Sequence, residues 1–254
     1  MTQKTFFIGH GSPMNIIEKN SYTDMLKILS KTIETPRAII VISAHRLTHG
    51  TFITSNPTPP QIYDFYGFPE ELYEYTYTAP GDSELAKKIE TDNIGVQIDE
   101  ERGIDHAARA VLCTMYPEQN IPVVEMSLDV NKTFEEHFAL GQKLARYRDE
   151  NILIIGSWNI IHNLGNISFD EDAKAFDRAV AMDNWFKVQI NENNIEKLIN
   201  YTNYLPNHRL AIPSTDHYLP LLYVLGMKRS DEQITTIHES IQNGSISMRS
   251  IEIS

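Results

Sequence analysis

The chain has 254 residues, 41% of them hydrophobic and 22% charged, which is ordinary for a globular protein and enough to bury a substantial core as one large domain or two small ones. A formal net charge of -12 argues against nucleic acid or an anionic membrane as the main partner, because both require basic surface. The single cysteine, Cys113, excludes an internal disulfide framework and any multi-cysteine zinc site, and no run approaches the roughly 18 apolar residues of a membrane span.

The N-terminus enters a strand almost at once, leaving no room for a secretory signal, so the cytoplasm is the expected location. Thr5 to Gly9 is a short apolar run that delivers His10, and Gly11-Ser12-Pro13 makes a turn. Tyr22 to Lys31 carries a helical stripe of Met25, Leu26, Ile28 and Leu29. Pro36 ends that unit. Ala38 to Ala44 then reads as a strand buried on both faces, with His45 at its exit. A strand-helix-strand unit implies parallel strands, which puts His10 and His45 on the same edge of the sheet, where α/β proteins collect their ligands.

Residues 48 to 82 change character: five prolines, with seven tyrosines or phenylalanines from Tyr63 to Tyr77 among them, suit neither a long helix nor a central strand. The segment reads as an ordered loop that either walls an aromatic substrate pocket or pins itself to the core. Ser83 to Asn93 is a helix capped by Ser83, and Val96 to Ile98 a short strand. His106 opens the next helix behind Asp105, where structural and catalytic roles are equally open; Cys113 lies inside that helix as an inert core thiol. Ile121 to Leu128 is a strand, and residues 133 to 149 an amphipathic helix with His137 on its solvated face. Ile152 to Ser157 is a third buried run leading through Trp158 to His162. Residues 170 to 202 read as helical, with Phe176, Val180, Trp185, Phe186, Val188 and Ile190 as candidates for burial. His208 falls in a loop, His217 starts an apolar helix that ends at Gly226, and Ile234 to Glu239 and Ser245 to Ile253 alternate as an antiparallel hairpin.

Three strand exits and one helix start thus each present an imidazole: His10, His45, His162 and His217. Imidazole is the commonest side-chain ligand for borderline divalent metals, so these four are expected to converge on one ion. They span the whole chain, so no linker divides the chemistry between domains. The expected architecture is a single α/β domain over residues 1 to 254, with a central mixed β-sheet flanked by helices on both faces.

The same residues resemble a known family, the class III extradiol ring-cleavage dioxygenases, in the branch of the DOPA 4,5-extradiol dioxygenases. The resemblance rests on Gly9-His10-Gly11-Ser12-Pro13-Met14, Ser43-Ala44-His45, Pro59-Pro60, Asp64-Phe65, Gly67-Phe68-Pro69, Ala79-Pro80-Gly81, Asp105-His106, Met115-Tyr116-Pro117, Asn159 to Leu164 and His217 to Leu221, in the family's order along nearly the whole chain. It implies a metal-dependent dioxygenase that opens a DOPA-like catechol with O2 at a mononuclear iron(II) site, with zinc possible as the bound ion. His10, His45 and His217 match metal ligands; His162 is a further ligand or the acid/base group, and His106 the pocket histidine, a second candidate for proton transfer.

Some positions depart from the family. Arg102 and Arg109 stand where tryptophans are usual, Trp158 where glycine is, Arg46 where an aromatic is, and Tyr63 where a histidine is common. Tyr63, Arg46 and Trp158 therefore become the expected substrate-contacting residues. The three arginines suit either an acidic catechol or the protein surface. An all-histidine site also fits a hydrolytic zinc enzyme, and the fold alone would admit a non-catalytic binding protein. The catechol, the native metal and the oligomeric state stay open.

Overall fold

The computed structural model describes every residue except Met1, Phe169, Glu171, Asp172 and His217. Its strands are β1 (Thr5–Ile8), β2 (Ala38–Thr48), β3 (Thr51–Thr54), β4 (Val96–Asp99), β5 (Val123–Asp129), β6 (Ile152–Ser157), β7 (Ile234–His238), β8 (Ile241–Gln242), β9 (Ile246–Ser247) and β10 (Ser250–Ile253). Its helices are α1 (Ser21–Ser30), α2 (Glu70–Glu74), α3 (Ser83–Thr91), α4 (His106–Met115), α5 (Phe134–Leu144), α6 (Asp177–Asn191), α7 (Ile195–Ile199), α8 (Tyr201–Tyr204) and α9 (Leu219–Gly226). None of the described helices is long and apolar enough to cross a membrane.

Eight strands form one mixed sheet in the order β4-β3-β5-β2-β6-β1-β10-β7. Its centre, β5-β2-β6-β1, is parallel, while β10 and β7 add antiparallel strands beyond β1. The period-2 alternation of a strand divides the central residues between two cores. Phe6, Ile8, Ile39, Val41, Leu153 and Ile155 pack in one layer with α1 and α4. Phe7, Ile40, Ile42, Val124, Ile152 and Ile154 pack in the other with α3, α5, α6 and α9. Both faces are thus covered by helices, which is why these strands read as unbroken apolar runs.

Helices α5 and α9 approach closely enough to require glycine. A Cβ on Gly141 would lie 2.3 Å from the Tyr223 carbonyl oxygen, and one on Gly226 2.3 Å from that of Phe138.

Several expectations change. The segment after His45 is not all loop: β2 continues through His45 to Thr48, and β3 returns antiparallel beside β5. His137 is fully buried rather than solvated, its Nδ1 2.9 Å from the Tyr223 hydroxyl, and burial pushes its pKa down to about 4. The α3 cap is Asp82, which accepts from Leu85 N at 2.9 Å, not Ser83. Ile28, Val180 and Val188 face solvent because the helices carrying them have one covered side. The terminal hairpin is real but interrupted: β7 pairs with β10, and a small β8-β9 ribbon intervenes.

Glycine to alanine inside a helix normally gains about 1 kcal/mol through propensity, whereas overpacking against fixed backbone costs about 1 to 3 kcal/mol. Gly141→Ala is therefore expected to destabilise the protein, seen as a lower urea midpoint; a raised midpoint would contradict the close α5-α9 crossing.

Candidate active site

The pairing of three central parallel strands ends in register. Ile8 pairs with Ser157 and Ser157 with Ser43, so β1, β6 and β2 reach one carboxyl edge together. His10 lies two residues beyond Ile8 and His45 two beyond Ser43. The β2-β5 register breaks between Ile42 and Leu47, and His45 sits within that irregularity, where a bulge re-aims side chains out of the pleat. Gly11 follows His10 at φ +64, and a Cβ there would come within 2.6 Å of Gln242. Its amide donates to Asn159 Oδ1 at 3.0 Å, and Asn159 Nδ2 donates to the Ser247 carbonyl at 2.8 Å, which ties the His10 turn to the C-terminal segment.

Hydrogen bonds settle which nitrogen of each ring points inward. Ser157 Oγ donates its only proton to the Ala107 carbonyl at 2.6 Å, so it can only accept from His10 Nδ1, 3.2 Å away. That places the His10 lone pair on Nε2. Asp64 Oδ2 lies 2.8 Å from His106 Nδ1 and 3.4 Å from His45 Nδ1, making Nδ1-H the favoured tautomer for both. Burial by itself would raise the Asp64 pKa, but the hydrogen bond from His106 and the charges of His106 and His45 outweigh it and hold the carboxyl at about 2. His45 Nε2 and His10 Nε2 are 3.4 Å apart.

His106 reaches this group because Asp105 caps α4, accepting from Ala107 N at 2.9 Å and Ala108 N at 3.3 Å. Asp105 is tied to β2 by the Ser43 hydroxyl at 2.6 Å, and its own amide donates to Glu125 Oε2 at 2.9 Å. Burial pushes both carboxyls up, Glu125 well above the usual range; the Asp64 charge adds to the rise at Asp105, and the Asp105 charge to that at Glu125. One ligand atom from each of His10, His45 and His106 lies within 4.8 Å of the other two, the arrangement of a metal site. Two imidazole nitrogens on a shared tetrahedral ion, at about 2.0 to 2.1 Å each, would stand about 3.3 to 3.4 Å apart, so the His10-His45 separation fits one.

Over the group opens a cavity of about 540 Å³, walled by Phe65, Phe68, Met14, Ile167 and Ile246 and rimmed by Tyr66. His10, His45, His106 and His162 all line it. His162 is 9% exposed, and its ring meets Trp158 at 6.0 Å. Trp158 is fully buried, stacked on His45 at 5.6 Å and edge-on to His10 at 5.9 Å, so it backs the rings instead of lining the cavity. His217 lies outside the described residues.

The remaining expected contacts fall elsewhere. Arg46 is buried against Asp99 at 2.5 Å and the Glu125 carbonyl at 2.7 Å. Tyr63 stands 44% exposed, its hydroxyl donating to the Tyr73 carbonyl at 2.8 Å, with the Arg109 guanidinium 5.1 Å from its ring centre. Arg109 is fully buried and Arg102 Nη2 is 3.9 Å from Asp105. None of these arginines lines the cavity, which corrects the idea that they meet an acidic substrate. The reason is electrostatic: buried acids and loop carbonyls already occupy them. The sequence reading gave no role to Asp64, which it met only within the motif Asp64-Phe65, or to Ser157. A lone acid inside an aromatic run was the available signal for Asp64; a hydroxyl at a strand end gives none.

Comparison with known proteins accords with this geometry. A family described as the catalytic LigB subunit of aromatic ring-opening dioxygenase matches residues 4–250, and the chain belongs to it. Among its relatives is a 4,5-DOPA dioxygenase extradiol of Escherichia coli K12, 42% identical over 97% of this chain and 93% of that one. Another of the same name, from Beta vulgaris, is 36% identical over 96% of this chain and 94% of that one. A crystal structure of an uncharacterized protein from Escherichia coli K12 superposes with a TM-score of 0.86 at 37% identity, covering 99% of this chain and all of that one. The branch of DOPA extradiol dioxygenases read from the motifs is therefore the right one.

Losing the partner that orients a ligating histidine typically weakens metal binding about 10- to 100-fold. Asp64→Asn is expected to do so, measured by competition with a chelating dye; unchanged affinity would show that Asp64 does not orient the ligands.

Proposed function

We propose that this protein opens the ring of a catechol beside its diol with dioxygen, at a non-haem iron(II) ion. The observation that carries the reading is the 3.4 Å approach of His10 Nε2 and His45 Nε2, with Ser157 and Asp64 behind their Nδ1 atoms, under a cavity walled by phenylalanines. Iron(II) held by His10 and His45, with His217 as the third ligand that the family resemblance implies, supplies open positions for a catecholate and for dioxygen. Zinc can occupy the same imidazoles, since its intrinsic affinity is higher.

The chain's own groups handle the protons. His106, with Asp64 accepting from its Nδ1, presents its other nitrogen to the cavity and takes a proton from the bound diol; the carboxylate stabilises the imidazolium that results. The proximity of His106 to His10 and His45 also allows it to ligate. His162, the other candidate ligand, is assigned here to return a proton to the opened product from the cavity wall. Phe65 and Phe68 take the substrate ring between apolar faces and exclude water. The relatives' names indicate a DOPA-like diol as substrate class. The same imidazoles would suit hydrolytic zinc, but membership of a ring-opening family weighs against that alternative.

Loading the protein with iron(II) under argon and then adding DOPA and oxygen is expected to give a yellow ring-opened product, with one O2 consumed per diol. Ester cleavage by the zinc form without ring opening would overturn the proposal. A positioned acid or base contributes about 10²- to 10⁴-fold, so His162→Ala should lose turnover on that scale while retaining metal. Near-normal turnover removes His162 from the chemistry.

A further inference from the structure

Residues 62 to 75 carry the phenylalanines of the cavity wall, Phe65 and Phe68, and the acid behind two of the imidazoles, Asp64. Apart from α2 they form no helix or strand. Ordering such a segment costs conformational entropy, so its shape needs an anchor.

Arg109 is placed to be that anchor. It follows His106 by three residues in α4, so both side chains leave the same side of the helix. Its guanidinium is fully buried and donates from Nη1 to the Ile62 carbonyl and from Nη2 to the Tyr75 carbonyl, each at 3.3 Å. One planar fork thus holds both ends of the segment. The same group lies 5.1 Å from the Tyr63 ring centre and 6.0 Å from that of Phe65, within reach of a cation-π attraction. Gln61 Nε2 also donates to the Tyr75 carbonyl, at 3.1 Å, and the Tyr63 hydroxyl to that of Tyr73, but these tie the segment to itself. Arg109 ties both its ends to the helix that carries His106.

What lies between those ends meets the site. Asp64, two residues past Ile62, accepts from His106 N at 3.2 Å as well as facing its Nδ1. Phe65 stands edge-on to His106 at 5.6 Å and to Phe68 at 5.5 Å. Helix α4 therefore serves the site twice, directly through His106 and from behind through Arg109.

We propose that Arg109 is a positioning residue: by clamping both ends of residues 62 to 75 to α4, it sets Asp64 behind the imidazoles and Phe65 and Phe68 against the substrate ring. The substrate half of the inference rests on the catechol reading above; the metal half does not.

The test reads zinc affinity by competition with a chelating dye, 4-methylcatechol affinity under argon on the zinc-loaded protein, and chymotrypsin cleavage between Tyr63 and Tyr77. Arg109→Leu is expected to weaken zinc binding about 10- to 100-fold, the scale for losing the group that orients a ligating histidine. It should also weaken catechol binding about tenfold or more and open the segment to cleavage. The wild type should resist cleavage there although Tyr66 is 92% exposed, because a protease needs local unfolding and not merely an exposed side chain. Gly141→Ala, in the opposite layer, should leave both affinities and the segment unchanged, which separates positioning from a general loss of stability. Arg109→Leu with wild-type affinities overturns the proposal, as does an equal loss in Gly141→Ala. Should Arg109→Leu fail to fold, Arg109→Lys decides, since it keeps a buried cation without the planar fork: weaker affinities and cleavage are expected, and wild-type behaviour overturns the clamp. Catechol bound with no ring opening would sink the dioxygenase proposal alone, and zinc affinity and cleavage indifferent to Arg109 would sink this one alone.

Discussion

A hydroxyl has one proton to give, and Ser157 gives it to the Ala107 carbonyl. Everything at the site depends on that commitment and its counterpart at Asp64. Because Ser157 can only accept from His10, and because Asp64 faces His106 and His45 through their Nδ1 atoms, the lone pairs of the rings are directed inward. Two imidazole lone pairs at 3.4 Å repel unless a proton or a cation lies between them. The sheet holds them there through three parallel strands whose pairing ends level at Ile8, Ser43 and Ser157.

Support for these groups runs deep and is costly in stability. Asp105 and Glu125 are both fully buried, and Glu125 Oε1 has no hydrogen-bond partner among the described residues. A packed apolar pair would serve the core better. What the acids do instead is link β2, β5 and the start of α4, so that His45 and His106 are fixed relative to each other. Trp158 contributes from behind, touching His10, His45 and His162 at once. Filling that space with an indole limits the freedom of all three rings. The cavity wall is different: it combines the turn after His10, the aromatic segment, Ile167 and the C-terminal ribbon, which lie far apart in sequence.

Much of the fold was legible because hydrophobic periodicity carries it. The central strands read as apolar runs since both faces are covered, and Asp105 announced the start of α4. The strand β3 escaped notice: its four residues hide in a segment dominated by prolines and rings, and it is paired by context, not by pattern. His137 looked solvated beside two glutamates, yet it turns to the Tyr223 hydroxyl, a contact set by the α5-α9 crossing. His10 and His45 were visible as imidazoles at strand exits, and their meeting is what parallel connection implies. The groups behind them were not visible. Ser157 and Asp64 acquire roles only through neighbours dozens of residues away, and no local spacing encodes such contacts. The arginines illustrate the converse, for their charge suggested a ligand while Asp99 and backbone carbonyls had already claimed them.

Anomalous diffraction at the metal edge from metal-loaded crystals tests the central geometry most directly. The account predicts a single ion bonded to Nε2 of both His10 and His45 at about 2.0 to 2.2 Å, with Nδ1 of His10 still on Ser157. Ligation through Nδ1, or an ion bound away from these two rings, would contradict it.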